Sequence, residues 1–145
     1  MKALIQRVIS ARVEVNGKAV GAIERGLLVF LGVEKDDAAA QVVRMVERLL
    51  SYRIFPDADG RMNCSVVEAG GGLLVVSQFT LAADTKKGTR PSFSSAAAPD
   101  IAEQLYEKIL ATLRAKGVPV AAGKFGADMQ VHLVNDGPVT FLLET

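Results

Sequence analysis

The sequence predicts a mixed α/β fold, and three observations carry that expectation. Two stretches place apolar residues at helical spacing, an Asn-Gly pair joins two alternating segments, and two continuous apolar runs have the length of buried strands. The opening Met1-Lys2-Ala3-Leu4-Ile5-Gln6-Arg7 reads as a strand. It has a charge inside a short apolar stretch and no small-residue cleavage site, which argues against a signal peptide. Ala11-Arg12-Val13-Glu14-Val15 alternates strictly, Asn16-Gly17 follows, and Lys18-Ala19-Val20 resumes. A type I′ hairpin turn needs positive φ at both central positions, which Asn-Gly tolerates. Gly26 to Val33 is continuously apolar and predicts a strand buried on both faces.

The first helix is predicted from Asp37 to Tyr52, with Val42, Val43, Met45, Val46, Leu49 and Leu50 on one face and Asp36 or Asp37 as N-cap. Asp57-Ala58-Asp59-Gly60 reads as a turn, and Gly70-Gly71-Gly72 as a flexible lead into a second buried strand, Leu73 to Leu81. Ala82 to Pro99 is a polar loop whose length points to function. The second helix is predicted from Pro99 to Lys116: Ile101, Leu105, Ile109 and Leu113 repeat every fourth residue, Pro99 suits the first turn, and Gly117 ends it. Strands at Val118–Ala121, Met129–Val134 and Val139–Glu144 follow. The pattern leaves the topology open.

With 145 residues and no repeat or linker, the chain reads as one domain, 1–145. Half of its residues are apolar, and no run approaches the ~20 residues of a membrane helix. The 17 basic and 16 acidic residues leave a net charge of +1, so any RNA contact must come from a local cluster. Cys64 is the single cysteine, which excludes an intrachain disulfide and suggests a reducing compartment. A lone His132 cannot form an ordinary zinc site. No Gly-x-Ser-x-Gly elbow, P-loop or dinucleotide fingerprint is present. An enzyme built from this chain is expected to work with no metal, no cofactor and no histidine relay, and His132 reads as structural or surface.

Two constellations carry chemistry. In Ser77-Gln78-Phe79-Thr80-Leu81, polar side chains interrupt an apolar strand, and polar groups beside a core need partners or a ligand. Strict alternation would send Ser77 and Phe79 to one face and Gln78 and Thr80 to the other, so a bend is needed for all to share a pocket. An ordinary strand end is the plainer reading. In Asn135-Asp136-Gly137-Pro138-Val139-Thr140, a polar tight turn is the plain reading. Glycine before proline nonetheless permits unusual backbone, and an X-Pro bond is cis at a cost of ~0.5–1 kcal/mol. Such a turn can present parallel carbonyls to an ammonium group.

Together these motifs resemble the D-aminoacyl-tRNA deacylase family. The likeness includes Ile5-Gln6-Arg7-Val8, Leu31-Gly32-Val33, Tyr52-Arg53-Ile54-Phe55, Gly88-Thr89-Arg90-Pro91-Ser92-Phe93 and Phe125-Gly126-Ala127-Asp128-Met129, and runs essentially end to end. The resemblance implies a three-layer sandwich of two β-sheets and a helical layer, and a cytoplasmic homodimer with each active site at the interface. It implies hydrolysis of D-aminoacyl-tRNA, and of glycyl-tRNA mischarged on tRNA-Ala, with rejection of L-aminoacyl-tRNA. Ser77, Gln78, Phe79 and Thr80 would form the catalytic floor. Gly137 and Pro138 of one subunit would hold the substrate ammonium in the other, with Met129 and Arg7 shaping the pocket and bracing the turn. Lys86, Lys87 and Arg90 form the densest basic cluster of the long loop and are expected to contact tRNA phosphates. The competing expectations are an editing domain of the threonyl-tRNA synthetase kind, a non-catalytic RNA-binding protein, and a generic small-molecule hydrolase.

Overall fold

A computed structural model describes residues 1–145. Strand β1 (Lys2–Val15) organises the sheet. On one edge its first half pairs antiparallel with β3 (Gly26–Gly32) and its second half with β2 (Lys18–Ile23). On the other edge it pairs along its length with β8 (Gln130–Glu144). Strand β6 (Gly72–Ser77) adds to β3 in parallel, and β7 (Val120–Ala122) adds to β6 in parallel. The order is β2-β1-β3-β6-β7, with β8 on β1. Parallel neighbours require crossovers. Helix α1 (Ala39–Ser51) lies in the β3–β6 crossover with the ribbon β4 (Phe55–Pro56) and β5 (Met62–Cys64), and α2 (Pro99–Ala115) makes the β6–β7 crossover. The six strands form one mixed, hydrogen-bonded sheet; the only separate sheet is the short ribbon.

The apolar runs of β3 and β6 are buried on both faces, as their composition predicts. Leu27, Val29, Leu31, Leu73 and Val75 join the main core with Met45 and Leu49 of α1 and Ile109 and Leu113 of α2. Leu28, Leu74 and Val76 face the other way and form a second cluster with Val8, Ala11 and Val13 of β1. Strand β1 therefore changes core along its length: Ala3 and Ile5 belong to the first cluster, and the switch falls at Arg7.

The Asn16-Gly17 hairpin forms, with φ of 51° and 75°. Helix α1 is shorter than predicted, and neither Asp36 nor Asp37 caps it. Ala38 is the N-cap, and its N–H is taken by Gln41 Oε1 at 2.9 Å. Asp37 is diverted to the Met1 amine at 2.6 Å and to the Glu34 N–H at 2.7 Å. Val43, at the margin of the α1 stripe, and Ile101, in the first turn of α2, are exposed where burial was expected. Gly117, with φ of 78°, ends α2 as expected. Strand β7 starts only after Pro119, which has no N–H and offers a carbonyl to Leu73 at 2.9 Å. The two predicted C-terminal strands are one strand, β8. Its two halves pair with the same partner, so Asp136–Val139 is an excursion within a ladder instead of a hairpin turn.

Candidate active site

The predicted strand Leu73–Leu81 stops at Ser77. Ser77 is paired with Leu31, whose carbonyl also accepts the Gln78 N–H at 2.7 Å. The chain then enters a 3-10 turn, Phe79–Ala82, whose first internal bond runs from the Leu81 N–H to the Gln78 carbonyl at 3.2 Å. Phe79 and Thr80 thus open the turn, ahead of its first internal donor. This bend answers the alternation problem in part: Ser77, Gln78 and Phe79 line one cleft, but the expected sharing of the pocket does not extend to Thr80. Thr80 does not line it. Its hydroxyl oxygen accepts a 2.5 Å hydrogen bond from Gln78 Nε2. Gly32, at the end of β3, makes room for the bend. A Cβ there would stand 2.9 Å from Leu81 Cβ and 3.0 Å from the Gln78 carbonyl oxygen.

The cleft has a volume of about 460 Å³. Its far wall comes from α2, through Pro99, Ala102 and Tyr106, and its end from Phe125, Met129 and Val131. Tyr106 is 1 % exposed and is the sole ionisable side chain in the lining. Its hydroxyl donates to the Val75 carbonyl at 2.9 Å, and burial, with a smaller push from Glu107, raises its pKa to about 12. Its ring packs against Phe125 at 5.7 Å. Met129 Sδ accepts the Lys124 N–H at 3.4 Å, which fixes the side chain at the cleft end. Phe79 is exposed and packs at 5.1 Å, its ring tilted by 48°, against Phe93 of the long loop.

The second constellation lies elsewhere on the chain. Alternation along β1 puts Arg7 on the side of Ala3 and Ile5, where its guanidinium donates to the Ile54 carbonyl at 2.6 Å and the Asp136 carbonyl at 3.2 Å. Asp136 adds a carboxylate oxygen at 3.2 Å. The Gly137-Pro138 peptide is cis, and Gly137 has φ of +136°, a region that side chains rarely enter. Both residues are exposed, and neither they nor Arg7 line the cleft of their own chain. A single chain therefore brings together Ser77, Gln78, Phe79 and Met129, and separately Arg7, Gly137 and Pro138.

Lys86, Lys87 and Arg90 are exposed, and none forms an ion pair; the Lys86 N–H is held by Asp84 Oδ1 at 2.9 Å. Their loop is pinned by an Asp84–Ser92 bridge and by the Phe93–Phe79 contact. His132 sits at the surface, 3.3 Å from Arg12 and 3.2 Å from Glu14. The Arg12 hydrogen bond, with help from His132, holds the Glu14 carboxyl below its usual range. Sequence reasoning missed Gly32, Phe93, Pro99, Ala102, Tyr106 and Phe125. Only Gly32, Phe93 and Phe125 had a signal, through the motifs that contain them.

A family model described as D-Tyr-tRNA(Tyr) deacylase matches residues 4–144. The chain belongs to this family. Membership makes it a hydrolytic enzyme, a deacylase. It is 62% identical over 144 residues to a D-aminoacyl-tRNA deacylase of Alcanivorax borkumensis, covering 99% of each chain. It is 59% identical over 145 residues to one of Pseudomonas fluorescens, covering 100% of each. The deacylase is also similar to a solved structure of the c-Myc DNA Unwinding Element Binding Protein, with TM-score 0.95 and 42% identity over 100% of this chain and 99% of the other. A solved probable eukaryotic D-amino acid tRNA deacylase shares the fold, with TM-score 0.82 and 21% identity over 98% and 97% of the two chains. No helix of the deacylase is long and apolar enough to cross a membrane.

Proposed function

We propose that the protein hydrolyses the ester joining a D-amino acid to the terminal ribose of tRNA, acts likewise on glycyl-tRNA mischarged on tRNA-Ala, and rejects L-aminoacyl-tRNA. One observation carries the mechanistic reading: the cleft lining of a single chain offers no side-chain base. Tyr106 alone is ionisable there; its hydroxyl donates to the Val75 carbonyl, and burial raises its pKa to about 12. Chemistry in such a site rests on backbone dipoles and on the substrate. Water attacks the ester carbonyl, and the N–H groups that open the 3-10 turn, that of Phe79 in the cleft lining and that of Thr80 at its margin, receive the developing oxyanion. Loss of one such donor costs about 2.7–4 kcal/mol. The neighbouring 2′-hydroxyl of the RNA assists the proton transfer. Thr80 has no base beside it; the partner of its oxygen is the Gln78 amide, which favours a backbone role over nucleophilic attack.

The Gly137-Pro138 excursion supports a homodimer in which each subunit completes the other's cleft. It stands exposed, outside its own cleft, on strands that also expose Ile9, Val134, Phe141 and Leu142. In that dimer the Gly137 and Pro138 carbonyls hold the substrate ammonium and Met129 bounds the pocket. With ammonium and carbonyl fixed, the side chains of D- and L-residues point in opposite directions, and the turn occupies the L direction. Glycine, lacking a side chain, partly escapes the filter. The unpaired Lys86, Lys87 and Arg90 take tRNA phosphates beside the reacting turn. The two apolar clusters, one on each side of β3 and β6, support a three-layer reading of the fold. Transfer RNA being the substrate, the enzyme works in the cytoplasm. Incubation of the protein with D-tyrosyl-tRNA and, separately, L-tyrosyl-tRNA tests the function. Loss of the D-amino acid alone supports it, loss of both removes the chiral filter, and loss of neither removes the function.

A further inference from the structure

The ladder between β1 and β8 steps from Gln6↔Thr140 to Val8↔Asn135, so two steps on β1 answer five on β8. An excursion of that size strips backbone groups of their ladder partners, and half-buried N–H and C=O groups need replacements. Arg7 supplies one, to the Asp136 carbonyl. The other end is tied by Asn135, whose Oδ1 accepts the Val139 N–H at 2.9 Å while its Nδ2 donates to Thr140 Oγ1 at 3.0 Å. Gln6 Nε2 reaches across from β1 to the same Thr140 oxygen at 3.1 Å. Asn135 and Thr140 are the two feet of the excursion, and their side chains join the segments that flank Gly137 and Pro138. Val139, just inside, is buried at 8 % exposed.

We propose that Asn135 and Thr140, braced by Gln6, are positioning residues that set the D-over-L selectivity by fixing the feet of this excursion. The inference rests on the reading of Gly137 and Pro138 given above. A filter that works by exclusion is only as selective as its wall is rigid. An L side chain is admitted when the wall yields by a fraction of an ångström, whereas D-substrates, held through their ammonium by the same turn but not pressing on it, lose less. Loosening the clasp therefore raises turnover of L-substrate more than it lowers turnover of D-substrate. A general loss of stability would lower both rates and leave their ratio unchanged.

The test compares kcat/KM on D-tyrosyl-tRNA and L-tyrosyl-tRNA for wild type, Asn135→Leu, Asn135→Asp and Thr140→Val. Asn135→Leu keeps approximate size without hydrogen bonds, Asn135→Asp keeps an acceptor for the Val139 N–H, and Thr140→Val removes the shared oxygen. The expected result is a D/L ratio lowered about tenfold in Asn135→Leu and in Thr140→Val, the scale of one net hydrogen bond, with the L rate rising. Asn135→Asp retains most of the ratio. Thr140→Val, the less invasive change, carries the test if Asn135→Leu does not fold. An unchanged ratio, or D and L rates falling together, overturns the clasp while leaving wild-type D-selectivity intact. A wild type that cleaves neither substrate, or both equally, overturns the functional reading itself and the clasp with it.

Discussion

Gly32→Ala perturbs the 3-10 turn Phe79–Ala82 without altering any polar group in it. The added Cβ would stand 2.9 Å from Leu81 Cβ and 3.0 Å from the Gln78 carbonyl oxygen. Carbon atoms rest about 3.5–4.0 Å apart, so the 3-10 turn must retreat by roughly 0.5–1 Å. Neither obstacle is the free end of a flexible side chain, and the turn is also tied to Leu31 through the Gln78 N–H. Overpacking of this kind costs about 1–3 kcal/mol of stability. Misplacement by about 1 Å costs up to about 100-fold in rate, so kcat on D-tyrosyl-tRNA is expected to fall roughly 10- to 100-fold. Val46→Ala is the matched control: Val46 is buried between α1 and the sheet, and its truncation costs a comparable ~1–3 kcal/mol. Denaturant unfolding and single-turnover deacylation on both variants separate the effects. A Gly32→Ala protein destabilised like the control yet with wild-type kcat would refute the claim that the turn's placement governs the chemistry.

Tyr106 gives a pH prediction. Its pKa is raised in the folded chain, from 10.0 to about 12, so its contribution to stability is complete below pH 10 and is lost as pH climbs towards 12. At 1.36 kcal/mol per unit the loss is at most about 2–3 kcal/mol, and Tyr106→Phe should lack it; equal pH slopes between pH 9 and 12 for the two proteins in urea unfolding would contradict this. Thr80→Val keeps shape and backbone N–H while deleting the hydroxyl, and should lose less than about tenfold in rate, short of the ~100-fold of a lost acid–base partner; a larger loss or a trapped acyl-Thr80 species would overturn the backbone role. Reversing Lys86, Lys87 and Arg90 to Glu should raise KM and reduce the salt slope by about one for each phosphate no longer neutralised, with kcat little changed; unaltered KM and slope would remove the loop from the RNA path.

What the sequence revealed of the fold was what local physics dictates. The Asn16-Gly17 hairpin, the buried runs of β3 and β6 and the Pro99 and Gly117 ends of α2 follow from φ requirements and burial. Features set by distant partners were illegible. Asp37 reads as a cap until the Met1 amine claims it, and Ile101 keeps helical spacing yet stands exposed in the first turn of α2. The Asn135–Thr140 segment reads as a tight turn because nothing local shows that both of its flanks pair with β1. The candidate site was half legible for the same reason. Ser77-Gln78-Phe79-Thr80 and Gly137-Pro138 stand out as polar or conformational interruptions, whereas Tyr106 sits in an unremarkable helical stripe and reaches the cleft only because α2 crosses between β6 and β7.

In the proposed mechanism this cleft catalyses ester hydrolysis with backbone donors and the substrate's own hydroxyl. That claim is tested most directly by comparing D-tyrosyl-tRNA ending in ordinary adenosine with the same tRNA ending in 2′-deoxyadenosine, in single-turnover reactions at saturating enzyme. The 2′-deoxy substrate is expected to bind with similar affinity and to be cleaved at least about 100-fold more slowly, the scale of a lost acid–base partner. Equal rates on the two substrates would contradict the claim and would require a base from a protein side chain.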